Sequence, residues 1–536
     1  MWYNTFIMIR IVFYVIFSLF LCFTVLAQEI TILHTNDIHC AVDEGVELSG
    51  VSWLKQVYKE AGLPIVLVDA GDAVQGAPLG TLTRGAAIVR LMNAAEYDFA
   101  IPGNHEFDYG MEDFKVLAGS LSCQYYSANI TERGKLLLEP YKMFYFENTQ
   151  VAFVGVTTPA TLSSTNPSFF YEPGNPKKRI YSFGEAARGS KFAFYDQVQK
   201  AVNQARKKGA KYVILVAHLG NHVRWWSVRD LLRNLRGVDA VIDGHSHEDY
   251  IEMMPDATGR EVPVTQTGTR LARVGRITIS DDGKLKADKI QFVGGKDEVV
   301  AEGIRIEKGE YEGLLMNTLG HTGYPLCINN PETKVRMVRN SESNLGDMVA
   351  DAYRIILGTD IGVANGGGLR GGIGAGMITY RDALTVSPFG NRLCVVELSG
   401  RQILDVLEYS VHRCPEEFGG FLQVSGLSFD VNLAIPSSVR VRNGVFDGVR
   451  GPRRVSNVKI GGVLLVPNKM YTVAGNNYIL MAGGNGYSML QQNIRCRQVR
   501  LTDVDALQEY IHTHLQGIVP DVYQNPQGAG RINFLK

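Results

Sequence analysis

The stretch Glu29–His39, EITILHTNDIH, decides how the first half of this chain folds. Its β-branched, apolar beginning is typical of a buried strand, and Asp37 and His39 follow where that strand ends. The runs PIVLVDA, YVILVAH and DAVIDG have the same character and are bounded by glycine, proline or charge. With a weaker apolar stretch at Tyr97–Ile101, they predict five strands of an α/β sheet system.

Polar side chains able to bind metal follow each of these five segments. Open α/β sheets usually build their sites beyond the carboxyl ends of the strands. One histidine in such a place is more often an ordinary core or surface residue, and an isolated GD or GNH is more often a turn. Repetition after five successive segments favours a site for two divalent cations. The candidates are Asp37, His39, Asp72, Asn104, His105, Glu106, His218, His245 and His247.

Length and charge limit the class of protein and of partner. The chain of 536 residues is too long for one core and predicts two domains. Lys+Arg and Asp+Glu both number 54, so nothing indicates an electrostatic groove for long nucleic acid. A small molecule is the better-sized partner.

The amino terminus has the features of an export signal. Ile11–Ala27 is almost wholly apolar and ends in Val25-Leu26-Ala27, which is similar to a signal-peptidase site. We expect residues 1–27 to be a signal peptide and the protein to be exported, periplasmic or secreted, without a stable membrane span after cleavage. The alternative is a retained anchor, although about 17 residues is at the short limit for a span. The carboxyl end has no hydrophobic tail typical of a lipid anchor.

The remaining pattern predicts two α/β units joined by a helix. We expect the first domain to cover residues 28–295, where strand-like runs alternate with helical ones at 191–207 and 227–235, giving layered sheets with helices outside. A charged segment with helical spacing at 296–316 is the candidate linker helix. A second domain follows at 317–536, with helices expected at 345–357 and 400–410. The six cysteines beyond the signal segment form no C-x-x-C pair, so neither a structural zinc site nor a disulfide scaffold is indicated.

The stretch Gly366–Gly371 satisfies the dinucleotide pattern G-x-G-x-x-G and follows a strand-like segment. That fingerprint requires a helix to begin next, whereas GGIGAGMITY follows here and cannot hold a helix. We therefore interpret the glycines as allowing close approach of the backbone to a ligand, with Arg370 beside it.

The order D-x-H, GD, GNHE, H and GHSH resembles the calcineurin-like metallophosphoesterase superfamily. Four motifs of the second half are similar to the C-terminal domain of the 5'-nucleotidase family. They are ESNLGD (342–347), NGGGLR (365–370), SPFGN (387–391) and AGGNGY (482–487). The resemblance implies a four-layer αββα-type metallophosphoesterase domain and a second α/β domain that binds the substrate.

The metal roles combine the residue chemistry with this resemblance. Asp72 stands alone on its loop and is the natural bridging carboxylate between two cations. By resemblance, Asp37, His39 and His247 complete the first metal site, and Asn104, His218 and His245 complete the second. Since His245 and His247 alternate on what we expect to be an extended segment, they need a local bend to reach neighbouring metals. Nitrogen and oxygen ligands suit zinc, manganese, magnesium or cobalt.

By the same resemblance, His105 and Asp108 form a catalytic dyad. The protonated imidazole, oriented by the carboxylate, would stabilise charge on the transferring phosphoryl group. The alternative is that Asp108 merely caps the turn into Tyr109-Gly110.

The resemblance also assigns six substrate-binding residues: Arg339, Asn365, Arg370, Phe389, Tyr478 and Asn485. Phe389 and Tyr478 would enclose the base, although the family's register places Ile479 where Tyr478 is needed, so Tyr478 requires a one-residue bulge. Asn485 stands where members mostly have Asp; its amide can still hydrogen-bond a ribose hydroxyl but carries no charge. Ordinary core packing is the alternative for either aromatic alone.

Together these features predict an exported two-metal phosphohydrolase that cleaves nucleoside 5'-monophosphates to nucleoside and phosphate by metal-activated water. The alternatives within the same class are a 2',3'-cyclic-nucleotide phosphodiesterase/3'-nucleotidase and a UDP-sugar hydrolase. A nucleotide-binding protein without turnover is a different class. The intact His105 and Asp108 argue against that class, because a binding protein has no need of the pair.

Overall fold

A computed structural model describes residues 29–147, 149–173, 175–184, 192–221, 226–442, 444–491 and 495–535. The predicted signal segment 1–27 lies outside these residues. None of the described helices is both long and apolar enough to span a membrane. The six cysteines of the described residues are free thiols.

Two sheets pack face to face in the first half of the chain. In the five-stranded sheet, Ile30–Thr35 pairs in parallel with Ile65–Asp69 and antiparallel with Val274–Ile279. The spatial order is Leu285–Ile290, Val274–Ile279, Ile30–Thr35, Ile65–Asp69 and Phe99–Ala100. The order in the six-stranded sheet is Asp249–Pro255, Glu261–Thr267, Ala240–Ile242, Tyr212–His218, Thr149–Thr157 and Tyr141–Phe146.

Alternation along the strands produces the layers. In Ile30–Thr35 every residue is buried: Ile32 packs between the two sheets with Phe153 and Ile214, whereas Leu33 packs outward against the helices. Because both faces of the strand are covered, its polar residues Thr31, His34 and Thr35 are buried together with the apolar ones. The outer helices of the first sheet are Leu48–Glu60, Pro78–Thr83, Ala86–Ala94, Met111–Ser120 and Glu298–Leu315, and those of the second are Phe192–Lys207 and Val228–Leu232. The predicted four-layer αββα arrangement is confirmed.

Short elements complete this half. Residues Thr161–Ser164 form one helical turn, and His105–Phe107 and Pro167–Phe170 are 3-10 turns. Thr131–Glu132, Lys135–Leu136 and Tyr181–Ser182 form one small sheet, and Tyr171–Glu172 pairs with Asn175–Arg179. The helix Glu298–Leu315 lies within the predicted linker 296–316, while the domain boundaries stay predictions.

The second half is a mixed α/β unit. Its central sheet has the order Leu422–Ser425, Ile361–Asn365, Met470–Asn476, Arg392–Ser399 and Cys496–Thr502. A four-stranded sheet has the order Val463–Leu464, Val455–Ile460, Leu427–Asn432 and Ile532–Leu535. Thr318–Thr322 pairs with Gly376–Thr379, and Val439–Arg442 with Val445–Val449. The helices are Asn344–Leu357, Tyr380–Val386, Gly400–Ser410, Asn477–Leu480 and Asp503–Glu509, with a π turn at Tyr510–His514 and 3-10 turns at Gly366–Gly368, Gly484–Gly486, Ser488–Gln491 and Asp521–Tyr523.

Candidate active site

The five motif loops meet at one edge of the two sheets. Each leaves the carboxyl end of a strand that runs parallel to its neighbour, and their side chains fall into two groups. The ligand atoms of each group lie within 4.8 Å of one another. One group is Asp37, His39 and His247, and the other is Asp72, His218 and His245.

The two groups adjoin each other. In the first, the Nε2 atoms of His39 and His247 are 3.0 Å apart, and His247 Nε2 lies 3.4 Å from Asp37 Oδ1. In the second, His218 Nε2 lies 3.0 Å from Asp72 Oδ2. The same His218 nitrogen is 4.0 Å from Asp37 Oδ1, which joins the groups into one cluster.

The donor set fits two divalent cations. His39 Nδ1 lies 2.8 Å from the carbonyl oxygen of Gln75, and His218 Nδ1 lies 2.7 Å from that of Ala70. A carbonyl can only accept, so Nδ1 carries the proton and Nε2 is left as the ligand atom, as is typical of metal-binding histidines. Asn104 Oδ1 is buried and has no hydrogen-bond partner among the described residues, as expected of an atom intended for a cation.

Opposite charges stabilise this cluster of side chains. Burial alone would raise the pKa of Asp72, but the neighbouring His218 and His105 hold it well below its ordinary value. Burial alone would lower the pKa of His218, but the charge of Asp72 raises it to about 10. Since a ligand must be deprotonated, metal affinity should depend on pH.

Unusual backbone conformations aim these side chains. Asp37, His39, Asp72, His245 and His247 all have positive φ, between 50° and 81°. Side-chain-bearing residues adopt this region sparingly, and such strain is concentrated at functional sites. The segment at His245 and His247 is therefore not extended, and the local bend that the sequence required is present. The motif glycine Gly103 is needed because a Cβ there would lie 2.3 Å from Asp72 Oδ1.

Glu106 supports the cluster, a role that the sequence did not predict. Its fully buried carboxylate accepts backbone N–H groups of Asp72 (2.9 Å), Ala73 (2.7 Å) and Gly103 (2.6 Å). Burial and the charge of Asp72 raise the pKa of Glu106 to about 7. The position of Glu106 in the motif GNHE indicated that it lies near the site. The local sequence does not show which backbone N–H groups donate to its carboxylate.

His105 and Asp108 form a hydrogen-bonded pair beside the candidate metal ligands. His105 Nδ1 lies 2.5 Å from Asp108 Oδ2, and the His105 backbone N–H donates to Asp72 Oδ1 at 2.8 Å. Burial would lower the pKa of His105, but the charges of Asp108 and Asp72 raise it above its ordinary value. The geometry therefore favours a protonated imidazole.

A cavity of about 700 Å³ extends from this cluster into the second half of the chain. Asp72, Asn104 and His105 line one side of it. The six predicted substrate-binding residues all line it as well: Arg339, Asn365, Arg370, Phe389, Tyr478 and Asn485.

Arginines give the cavity a positive character. Arg339 is half-buried, and its buried Nε has no hydrogen-bond partner among the described residues. Arg370 places its guanidinium carbon 5.9 Å from the centre of the Phe389 ring. The sequence did not single out Arg336, which also lines the cavity and is paired with Glu417 at 2.8 Å. An anion is the complementary ligand.

The two predicted aromatics take different positions. The Phe389 ring stacks against His105, with ring centres 5.7 Å apart and an angle of 29°. Tyr478 lies in the one-turn helix Asn477–Leu480, so a helical turn rather than a bulge brings it to the cavity. Tyr478 and Ile479 both belong to the apolar core of the second half, and of these two side chains Tyr478 is the one that lines the cavity. The Tyr478 hydroxyl donates to the carbonyl of Ser163 at 2.5 Å.

The two asparagines are held by neighbouring backbone and side chains. Asn365 Oδ1 accepts from the amide of Asn476 at 2.9 Å. Asn485 has a φ of +53°, and its backbone N–H donates to the Tyr478 hydroxyl at 3.0 Å. Its backbone carbonyl accepts from Tyr409 at 2.9 Å, which leaves the side-chain amide at the cavity wall.

Comparison with known proteins agrees with this arrangement. A family profile described as "Calcineurin-like phosphoesterase" matches residues 30–249, and one described as "5'-nucleotidase, C-terminal domain" matches residues 320–492. The chain belongs to the 5'-nucleotidase family. It is accordingly a metal-dependent phosphoric monoester hydrolase, as the sequence predicted.

Relatives of this family align along most of the chain. The snake venom 5'-nucleotidase of Crotalus adamanteus is 27% identical over 90% of this chain and 86% of its own length. The trifunctional nucleotide phosphoesterase protein YfkN of Bacillus subtilis is 26% identical over 90% of this chain, which spans only 34% of that relative. The crystal structure of a 5'-nucleotidase precursor from Thermus thermophilus is 26% identical and superposes with a TM-score of 0.78, over 95% of this chain and 99% of that one.

Proposed function

We propose that this enzyme is exported and hydrolyses nucleoside 5'-monophosphates to nucleoside and phosphate. The proposal rests on one cavity that is lined by residues of the candidate metal site, by the dyad and by Phe389. Because the Phe389 ring lies 5.7 Å from His105, a base bound at Phe389 would have its phosphate within reach of the cluster.

Each group has a separate role in this proposal. When bound, two divalent cations lower the pKa of water and stabilise the attacking and leaving oxygens. One cation would be held by Asp37, His39 and His247, and the other cation by Asn104, His218 and His245. Asp72 would bind both cations. The protonated His105 stabilises charge on the phosphoryl group, while Arg339 and Arg370 bind its oxygens. Phe389 and Tyr478 receive the base, and Asn365 and Asn485 contribute polar contacts.

A second candidate is cleavage of 2',3'-cyclic nucleotides followed by removal of the 3'-phosphate. The relative from Bacillus subtilis is described as a trifunctional nucleotide phosphoesterase. The cavity, at about 700 Å³, lies within the range typical of small-molecule sites and does not by itself select one nucleotide.

Phosphate release from AMP, UDP-glucose, ATP and 2',3'-cyclic AMP tests the proposal directly. We expect AMP to have the highest kcat/KM, and a chelator to abolish turnover until zinc, manganese, magnesium or cobalt is restored. Highest kcat/KM on 2',3'-cyclic AMP would replace the proposal by the second candidate. Turnover that survives complete removal of metal would contradict the two-metal chemistry.

Replacing Phe389 by alanine tests the position of the base. Stacking on an aromatic side chain is worth about 1–3 kcal/mol per base in single-strand binders, so the KM for AMP should rise by roughly 5- to 150-fold. The kinetics on p-nitrophenyl phosphate, which lacks a base, should change far less. Phe292→Ala is a suitable control because Phe292 is 85% exposed and does not line the cavity. Equal losses on both substrates would indicate damage to the fold or the metal cluster, and no loss on either would place the base elsewhere.

A further inference from the structure

The hydroxyl of Thr165 contacts the dyad from outside all of the sequence motifs. Its Oγ1 lies 2.9 Å from Asp108 Oδ1 and 2.7 Å from the backbone oxygen of Asn104. Both of these oxygens accept, so the single proton of the hydroxyl is shared between them. Thr165 is 1% exposed and lies in the wall of the same cavity as Asp108 and His105.

The two oxygens of Asp108 are thus held by different partners. Oδ2 pairs with His105 Nδ1 at 2.5 Å, and Oδ1 receives the Thr165 hydroxyl. Without such contacts, the terminal side-chain torsion of an Asp adopts a broad range of angles, so its carboxylate can rotate. Fixing the second oxygen prevents this rotation, and the plane of the carboxylate sets the direction in which the imidazole points.

Thr165 is itself fixed from both halves of the chain. Its backbone N–H donates to the carbonyl of Thr161 at 3.1 Å, which closes the helical turn Thr161–Ser164. From the second half, the Tyr478 hydroxyl donates to the carbonyl of Ser163 at 2.5 Å. The hydroxyl that meets Asp108 is therefore preorganised, the property required of groups that support a catalytic side chain.

We propose that Thr165 is a positioning residue that orients the His105 imidazole through Asp108. This inference rests on the proposed role of His105 in the phosphohydrolase reaction. It predicts an effect on turnover rather than on nucleotide affinity, because Thr165 acts on the dyad and not on the base.

Thr165→Val removes the hydroxyl and keeps the shape of the side chain. We expect kcat to fall about ten-fold on both AMP and p-nitrophenyl phosphate, as for loss of one hydrogen bond to a charged group, with the KM for AMP changed by less than about two-fold. Thr165→Ser keeps the donor and should retain most of the turnover. Both variants should hold as much metal per chain as the unmodified enzyme.

Thr322→Val is the matched control for loss of a buried hydroxyl. Thr322 is fully buried, donates to the carbonyl of Tyr324 at 2.7 Å and does not line the cavity. We expect it to lower the thermal midpoint to a similar extent as Thr165→Val while kcat is retained. This comparison separates a loss of stability from a loss of dyad geometry.

The decisive measurement combines Thr165→Val with His105→Ala. If Thr165 acts through His105, the second substitution should add no further loss of kcat. A full additional ten-fold loss in that background, full turnover of Thr165→Val alone, or loss of metal from Thr165→Val would each overturn the inference. Full turnover of His105→Ala alone would instead remove the proposed dyad, and the role of Thr165 with it.

Discussion

Asp72→Asn is expected to lower kcat on AMP by at least roughly a thousand-fold, the upper range for losing one preorganised transition-state contact. Asp72 belongs to the second ligand group and is the predicted bridge between the two cations, so neutralising it weakens both sites. The substitution keeps the size of the side chain, and an amide oxygen can still accept the His105 backbone N–H that now meets Oδ1 at 2.8 Å. The loss would therefore be one of charge rather than of fold.

The comparison variants for Asp72 are His39→Ala and His245→Ala, each predicted to disturb one cation only. Elemental analysis should find less metal in Asp72→Asn than in either, and the phosphatase assay should find less activity. Nearly two metals per chain in Asp72→Asn with activity retained would contradict the bridging role. An exposed carboxylate such as Asp281, replaced by Asn, controls for the loss of one negative charge.

His105→Ala is expected to retain both metals and to lower kcat by roughly two to three decades, the usual cost of losing one preorganised charge-stabilising group. The neighbouring carboxylates raise the pKa of His105, which favours the charged imidazole that the proposed role requires. Asp108→Asn should have a smaller effect in the same direction, because the imidazole remains but loses the carboxylate that orients it. Steady-state kinetics and metal analysis of both variants check these expectations.

Loss of a metal from His105→Ala would show that His105 is a ligand, and the assignment of the dyad would be wrong. His512→Ala is the control, since His512 is exposed and does not line the cavity. Its kcat and its metal content should equal those of the unmodified enzyme.

The strong strands were predictable because local pattern and tertiary burial agree there. The runs ending at Thr35, Asp69 and His218 are apolar on both faces, and the structure covers both faces with another sheet and with helices. The weaker elements came out shorter than expected. Tyr97–Ile101 yields only the strand Phe99–Ala100, and 227–235 only the helix Val228–Leu232, because the ends of a short element are decided by its neighbours rather than by its own composition.

The candidate ligands were predictable for a different reason. Parallel strands of neighbouring sheets end at one edge, so residues placed just after them converge whatever the intervening sequence. The supporting groups had no such signal. Glu106 accepts a hydrogen bond from the backbone N–H of Asp72, which lies on another loop. Arg336 lines the cavity while paired with Glu417. Thr165 donates to Asp108, which is 57 residues away in the chain.

The sequence by itself determined the layered α/β class, the family resemblance and the residues able to bind two cations, because strand periodicity and ligand chemistry are local properties. Only the tertiary structure decided how those residues face one another. It gave positive φ to Asp37 and His245, turned Tyr478 rather than Ile479 toward the cavity, and brought Phe389 against His105 from almost 300 residues away. These are contacts between distant segments, and their geometry depends on the packing of two sheets and two domains, which no local pattern encodes.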